Sequence, residues 1–453
     1  MRGQALRTLE SPASCRGPEG LAGSVVRAVF YTGAAQVSTL FLGLLSSVLT
    51  ARLLGVSGRG IYAAFVSTVV FLGLVLDPFG YKWSNTYMLG RKASYQKALR
   101  WSASYALGLL AVLLLLLPQL DRDLVRALQV IGVWGRWSAL EPLLPMLALA
   151  IPASLLCSYI NAILLGLERF RGYGLQTIAP SVVFLITCAG AYLAAGAASP
   201  RMVAAAWVAS LFAGSVLGTI QLRRSRNQYG QSRTEYSFLQ SATVGFRAYS
   251  VNVLAFLHLR IDVYLVAYYL SPHDLGLYAV AVGLAELVTQ LPAVFGTVVF
   301  SKSANETGDE VGELVGKVVK LIPAIALIAI PAFWLLGRHV ITILYGGEFA
   351  ESYHAALWLL PGVVFLGGTN VINNFLAGKG YPWFLHVACF ASLGLNVLLN
   401  LAWIPRYRIV GASLASSASY GLWFLVLLIY FRARFGRRQE ATTTISLLGE
   451  TTS

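Results

Sequence analysis

The stretch LRIDVYLVAYYLSPHDLGLYAVAVGLAELVTQLPAVF, residues 259–295, decides the fold. It consists of two apolar runs that turn near Ser271–Pro272, and it reads as an antiparallel hairpin of two membrane-crossing helices. Arg260, Asp262 and Glu286 sit inside it. A charge at the bilayer centre costs roughly 2.5–3.5 kcal/mol on insertion scales, so each of the three must face a partner or a polar path.

The rest of the chain supports the membrane reading. Of its 453 residues 57% are hydrophobic and only 12% charged, where soluble domains carry about 25% charged residues. A soluble core cannot hide that much apolar surface. Crossing a bilayer takes about 20 consecutive apolar residues. Segments that meet this length centre on 28–50, 60–80, 98–118, 140–166, 174–196, 202–222, 242–269, 273–299, 316–337, 355–378, 383–404 and 410–431. The expected fold is an all-α polytopic membrane protein with about 12 transmembrane helices.

The distribution of charge agrees with this count. Net charge is +15, but the basic residues lie at the ends of apolar runs and not along a soluble stripe, which argues against nucleic-acid binding. With the N terminus placed inside, the inner segments hold 24 of the 34 Lys and Arg and the outer segments 9, leaving Arg260 within a span. Basic residues favour the cytoplasmic side, so both termini are expected there. Residues 1–26 and 434–453 read as disordered cytosolic tails; the first lacks the apolar region of a cleaved signal. Cys157, Cys188 and Cys389 fall within apolar runs and form no CxxC pair, so they read as buried thiols.

The chain also divides in two. At an offset of 216 residues, GIYAAFVSTVVFLGLVLDPFG (60–80) matches GLYAVAVGLAELVTQLPAVFG (276–296) without a gap, at Gly60/Gly276, Tyr62/Tyr278, Ala63/Ala279, Val66/Val282, Phe79/Phe295 and Gly80/Gly296. This indicates a duplication of six spans, related by an axis along the membrane normal. The expected units are an N-terminal bundle over 27–222, a polar cytosolic linker over 223–240 and a C-terminal bundle over 241–433.

With the order and spacing of these segments in hand, the chain resembles the polysaccharide or oligosaccharide flippases of the multidrug/oligosaccharidyl-lipid/polysaccharide exporter superfamily, of the O-antigen type. The likeness is carried by LTARLLGVSGRGIYAAF (49–65), LLGLERFRGYGL (164–175), RIDVYLVAYYLSPHDLGLYAVA (260–281), ILYGGEFAESYHAALWLLP (343–361), NNFLAGKGYPWF (373–384) and NVLLNLAWIPRYRIVGASLASSASY (396–420). It implies two six-helix bundles around a central cavity. It implies movement of a polyprenyl-diphosphate-linked oligosaccharide from the inner to the outer leaflet of a bacterial cytoplasmic membrane, for surface polysaccharide synthesis alongside polymerase machinery. The related lipid II flippases carry fourteen spans and basic residues in the first helix. Here twelve are expected and residues 28–51 hold no charge, which points away from peptidoglycan precursors.

Under that resemblance, Arg260 is the candidate for the diphosphate, because its planar guanidinium makes paired contacts to phosphate and stays charged. Arg260 and Asp262 lie about 200° apart around their helix, so they answer to different surroundings. The hairpin register brings Glu286 to about one turn from Arg260 in depth. Glu286 reads as a switch that releases Arg260, as a proton or sodium site, or as a structural partner; Gln290 shares its face. Asp262 is a further candidate, expected nearer the outer surface. Arg27, Lys82 and Arg247, at the inner ends of spans one, two and seven, form either a cationic cavity entrance or ordinary topology anchors. Asp77–Pro78 and Pro292 are expected to break spans two and eight. Asn370, Asn373, Asn374, Asn396 and Asn400 read as hydrogen-bonding glue between helices.

Two other function classes fit less well. A cation-coupled multidrug antiporter favours acidic cavity residues, and here an arginine accompanies them. A membrane glycosyltransferase would draw on the DRD at 121–123 as a metal site, yet DRDLVRALQVIGVWGRW (121–137) reads as a helix lying in the interface. No enzyme, cofactor or metal site is expected. A coupling ion is left open.

Overall fold

The computed structural model describes residues 18–436 apart from 78–79, 91–93, 117–141, 168, 197, 224–237, 291, 294, 297–298, 300–302, 304–309 and 380–381. Among the described residues every regular element is helical. In chain order they are α1 (Pro18–Val75), α2 (Tyr81–Gly90), α3 (Tyr95–Leu116), α4 (Leu144–Gly166), α5 (Phe170–Ala195), α6 (Pro200–Arg223), α7 (Phe238–Tyr269), α8 (Pro272–Ala285), α9 (Glu310–Lys320), α10 (Ile322–Tyr345), α11 (Ser352–Gly378) and α12 (Phe384–Phe431).

The two longest helices are hairpins closed at a single residue. In α1 the break is Gly55, at φ 64° and ψ −177°. Arg59 Nη2 comes within 3.4 Å of Ser47 Oγ, twelve residues earlier, which would be about 18 Å away along a straight helix. Glycine reaches that positive φ without a Cβ penalty. In α12 the break is Arg408, at φ 53°. There Asn396 Nδ2 donates to Ser419 Oγ at 2.8 Å across 23 residues. Nine helices among the described residues are long and apolar enough to cross a membrane. The two hairpins each supply two crossings, and α8, continued by the 3-10 turn Glu286–Thr289, fills the remaining place. The protein is therefore a multi-pass, all-α membrane protein with the expected order of spans.

Three details depart from the apolar pattern. The segment expected at 316–337 is two helices, because Val311, Val315 and Val319 form the buried stripe of the amphipathic α9, with the exposed Glu313–Lys317 pair at 2.8 Å on its other side. The crossing itself is α10. Span two stops at Val75 and resumes as α2 after Gly80, whose φ is 73°. Asp77 fills the gap: its carboxylate accepts from Tyr159 Oη at 2.9 Å and from the backbone N–H groups of Tyr81 and Lys82 at the start of α2. In span eight the α-helix ends earlier than Pro292, at Ala285. The 121–137 segment, with its DRD, and the tail residues 1–17 and 437–453 lie outside the described residues.

Turns from both halves gather at one end of the bundle, here called the distal end. A Cβ on Gly55 would lie 3.9 Å from Glu348, and one on Gly58 would lie 3.7 Å from Pro200. Arg408 Nη2 meets both carboxylate oxygens of Asp274 at 2.7 Å. The halves meet there too. Gly60 and Gly276 pack so closely that a Cβ on Gly60 would sit 1.9 Å from Pro272 O and one on Gly276 2.0 Å from Val56 O. Arg52 donates from Nε to Leu344 O at 2.7 Å and from Nη2 to Ile343 O, capping the C-terminus of α10. Tyr345 Oη donates to Ser47 Oγ at 3.2 Å.

Candidate functional site

The α7–α8 hairpin builds the site. Arg260 lies eleven residues before Ser271 in the chain, so it sits roughly 16 Å from the turn, near the middle of a core about 30 Å thick. Its guanidinium forks onto Glu286, Nη1 to Oε1 at 2.8 Å and Nη2 to Oε2 at 3.3 Å. Glu286 is placed by the change from α to 3-10 geometry at the end of α8, where its carbonyl accepts from Thr289 Oγ1 at 2.7 Å.

Exposure separates this pair from a buried tie. The Arg260 and Glu286 side chains remain 34% and 30% exposed. Charges at mid-span cannot be left against lipid tails, so this surface borders a polar space. The pair lies close to the other half of the molecule. Tyr264, one helical turn beyond Arg260, donates its hydroxyl to Ser67 O of α1 at 2.7 Å. Phe71 of α1 packs on Tyr264 and Phe256, with ring centroids 5.6 and 6.3 Å apart.

Asp262 faces elsewhere, as its two-residue offset requires. It is 2% exposed, so it does not reach water as its sequence position suggested. Its carboxylate accepts from Ser416 Oγ at 2.9 Å, from Val263 N at 2.7 Å and from the Tyr278 hydroxyl. Behind it lies a continuous set of buried oxygens and amides between spans seven, eleven and twelve. Asn396 Nδ2 reaches Ser416 Oγ at 3.4 Å and Ser419 Oγ at 2.8 Å. Asn400 donates to Asn396 Oδ1 at 2.7 Å, while its own Oδ1 is buried without a donor. His258 is buried on the same helix face, between Tyr420 and Trp423 at 5.1 and 4.9 Å. The apolar composition of span twelve hides this network, because its polar members are serines scattered among alanines.

The remaining candidates separate in space. Gln290 is half-buried, one turn beyond Glu286. Lys82 is half-buried in the first turn of α2, beside the Asp77 carboxylate. Arg27 lies on α1 and Arg247 on α7, with side chains outside the described residues. Asn396 joins span eleven to span twelve, whereas Asn374 Nδ2 bonds back to Asn370 O of its own helix at 2.8 Å. No cluster of three or more His, Cys, Asp or Glu suited to a metal occurs among the described residues.

The geometry can be set beside known proteins. Residues 25–300 match the family described as polysaccharide biosynthesis protein. A probable low-salt glycan biosynthesis flippase, Agl15 of Haloferax volcanii, is 23% identical over 232 residues, which is 49% of this chain. The match spans 48% of that relative's length. Among solved structures, the lipid II flippase MurJ in an inward closed conformation superposes with a TM-score of 0.70 at 18% identity, covering 89% of this chain and 87% of that one. An inward-facing multidrug resistance MATE family transporter of the MOP superfamily gives 0.67 at 13% identity, with 89% and 96% covered. The Vibrio cholerae MATE transporter VcmN gives 0.62 at 11%, with 92% and 97% covered. The fold is thus the one shared by MurJ and the MATE transporters, and the family match over more than half its length makes this chain a member of the polysaccharide biosynthesis protein family.

Proposed function

We propose that this protein is a transporter that flips a polyprenyl-diphosphate-linked oligosaccharide from the inner to the outer leaflet by alternating access. The observation that carries this reading is the Arg260–Glu286 pair, about one-third exposed at mid-span, with the guanidinium held by a single carboxylate. An arriving diphosphate offers the guanidinium the same forked geometry as Glu286, with more charge. Exchange of partners would bind the headgroup without leaving a bare cation in the membrane. Family membership supports the reading, as do a relative named as a probable glycan biosynthesis flippase and a fold neighbour named as a lipid II flippase.

In this scheme residues 27–222 and 241–433 rock as two units, with Gln290 extending the site on the Glu286 side. Arg27, Lys82 and Arg247 attract the headgroup at the cytoplasmic mouth of a cytoplasmic membrane, where both termini lie, and a polymerase takes the product. The oxygen cluster of Asp262, Ser416, Asn396 and Asn400 is the place for a coupling cation, because the Asn400 oxygen lacks a donor. The MATE likeness favours a second reading, a cation-coupled multidrug antiporter. It suits the central arginine poorly, since a cationic cargo would be repelled.

The deciding experiment is mass analysis of membrane lipids from cells with and without the gene. Build-up of one polyprenyl-diphosphate oligosaccharide in the deletion supports flipping and names the sugar. An unchanged pool while the sugar pathway is active transfers the assignment to the antiporter.

A further inference from the structure

Phe71 stands beside Arg260 from the opposite half of the molecule. Phe256, Arg260 and Tyr264 follow one another at four-residue intervals on the unbroken helix α7, so they line one stripe of it. Phe256 and Tyr264 lie about 12 Å apart along that helix axis. The Phe71 ring is 6.3 Å from the Phe256 ring and 5.6 Å from the Tyr264 ring, centroid to centroid. Those two distances together span the gap, which places the Phe71 ring between the other two, at the depth of Arg260. Phe71 and Phe256 are nearly parallel, at 20°. The Tyr264 hydroxyl donates to Ser67 O at 2.7 Å, one turn before Phe71 on α1. All three rings are half-buried, beside a charged pair that is about one-third exposed.

The Arg260–Glu286 pair reads a diphosphate through its oxygens. A polyprenyl diphosphate stripped of its sugar carries those oxygens too, so the pair cannot tell a loaded carrier from an empty one. Discrimination needs a second contact, to the sugar ring next to the diphosphate. A pyranose presents faces lined with C–H bonds and an edge of hydroxyls. The face of an aromatic ring carries partial negative charge and packs well against C–H groups. Small-ligand sites combine such aromatic walls with a few placed polar groups. Phe256 shares its helix with Arg260, so it keeps its spacing from the guanidinium when the halves move. Phe71 belongs to the other half and departs with it. The same movement releases the Tyr264 hydroxyl from Ser67 O.

We propose that the stripe from Phe256 to Tyr264 is a sugar subsite, and that Phe71 holds the place of the sugar ring until the halves part. Its ligand is a pyranose joined to a diphosphate: the ring lies on Phe256 and a sugar hydroxyl meets the Tyr264 hydroxyl. Its effect is to select the loaded carrier over the empty one. The inference deepens the flippase reading and rests on it.

The test uses the full-length protein in phosphatidylcholine nanodiscs and two probes, farnesyl diphosphate and its glucosyl ester. The quantity read is the ratio of their dissociation constants. The wild type binds the glucosyl ester about tenfold tighter, the upper range for an aromatic contact. Phe256→Leu keeps apolar bulk, removes the ring face and brings the ratio close to one, with affinity for farnesyl diphosphate unchanged. Phe256→Tyr restores the ratio. Phe71→Ala moves the ratio above the wild-type value, because the ring no longer competes with the sugar. Rings that only hold the halves together would shift both affinities alike, so a ratio unmoved in either variant overturns the proposal. Should Phe256→Leu fail to assemble, Phe71→Ala decides alone. Binding of both probes that Arg260→Gln abolishes, with a wild-type ratio of one, overturns this inference and leaves the flippase reading standing. Binding that Arg260→Gln leaves unchanged for both probes overturns the two together.

Discussion

Gly60 and Gly276 occupy the same position in the two halves of the sequence, and in the folded protein they touch. A Cβ on Gly60 would come within 2.9 Å of Gly276 N, and one on Gly276 within 3.2 Å of Gly60 N. Equivalent residues of two repeats meet only on the axis that relates them, so we propose that this contact lies on the axis of the duplication read from the sequence. Gly60→Ala and Gly276→Ala are each expected to cost about 1–3 kcal/mol of packing in the closed arrangement. Because both act on one contact, the double variant should lose much less apparent thermal stability than the two losses combined. Additive losses would mean that each glycine serves its own half and not the closure.

The Arg260–Glu286 pair yields opposite expectations for its two members. Arg260→Gln should abolish export and weaken pyrophosphate binding, while the protein still inserts and folds. Glu286→Gln should retain binding, since it removes the competitor and keeps the cation. Were the pair only structural, the two variants would lower stability alike and leave binding unchanged. The exposure of both side chains limits the stability cost, because partial hydration screens an unpaired partner.

How much of this could be read from the chain depends on which force sets each feature. The order of the spans was legible because a run of about 20 apolar residues marks most crossings. The Arg260–Glu286 register was legible because Ser271-Pro272 fixes the hairpin and helical rise does the rest. The turns between spans one and two and between spans eleven and twelve were legible, but their reversal at single residues, Gly55 and Arg408, was not, since helix packing sets the exact point. The buried setting of Asp262 was missed for a related reason. Its partners Tyr278 and Ser416 belong to other helices, 16 and 154 residues away, and only tertiary packing brings them together.

At the distal end, Asp274 links acidity to stability. It closes a capping box with Ser271 at the start of α8 and receives both Arg408 contacts. Burial alone would raise its carboxyl, but the hydrogen bonds from Arg408 and Ser271 outweigh it and hold the group below its ordinary value. A carboxyl depressed on folding adds stability that is complete above its unfolded value, about 3.9, and is lost as pH falls through the folded value. Acid unfolding of the wild type should therefore steepen below about pH 4. Asp274→Asn should remove that component and cost about 1 kcal/mol at neutral pH, as loss of a cap does. An unchanged acid limb in the variant would show that the Arg408 contact contributes nothing in solution.

The Asp262 network makes the last prediction, because its structural and coupling roles diverge in a single variant. Asp262→Asn keeps the shape but puts an amide where Tyr278, Ser416 and Val263 N–H all donate to a carboxylate. One donor then loses its acceptor, at a cost of about 1–3 kcal/mol. If the network only fixes spans seven, eight and twelve, apparent stability falls and transport in proteoliposomes falls with it, at every imposed gradient alike. If it holds a coupling cation, the carboxylate supplies the charge and the free Asn400 oxygen an additional ligand. Transport by Asp262→Asn then becomes insensitive to proton and sodium gradients while its gradient-free rate persists. Asn400→Ala, which removes the donor-less oxygen and spares the carboxylate, should shift the cation concentration for half-maximal transport without abolishing the response. The coupling role predicts that pattern for the two variants, and parallel loss of stability and rate in both assigns the cluster to structure.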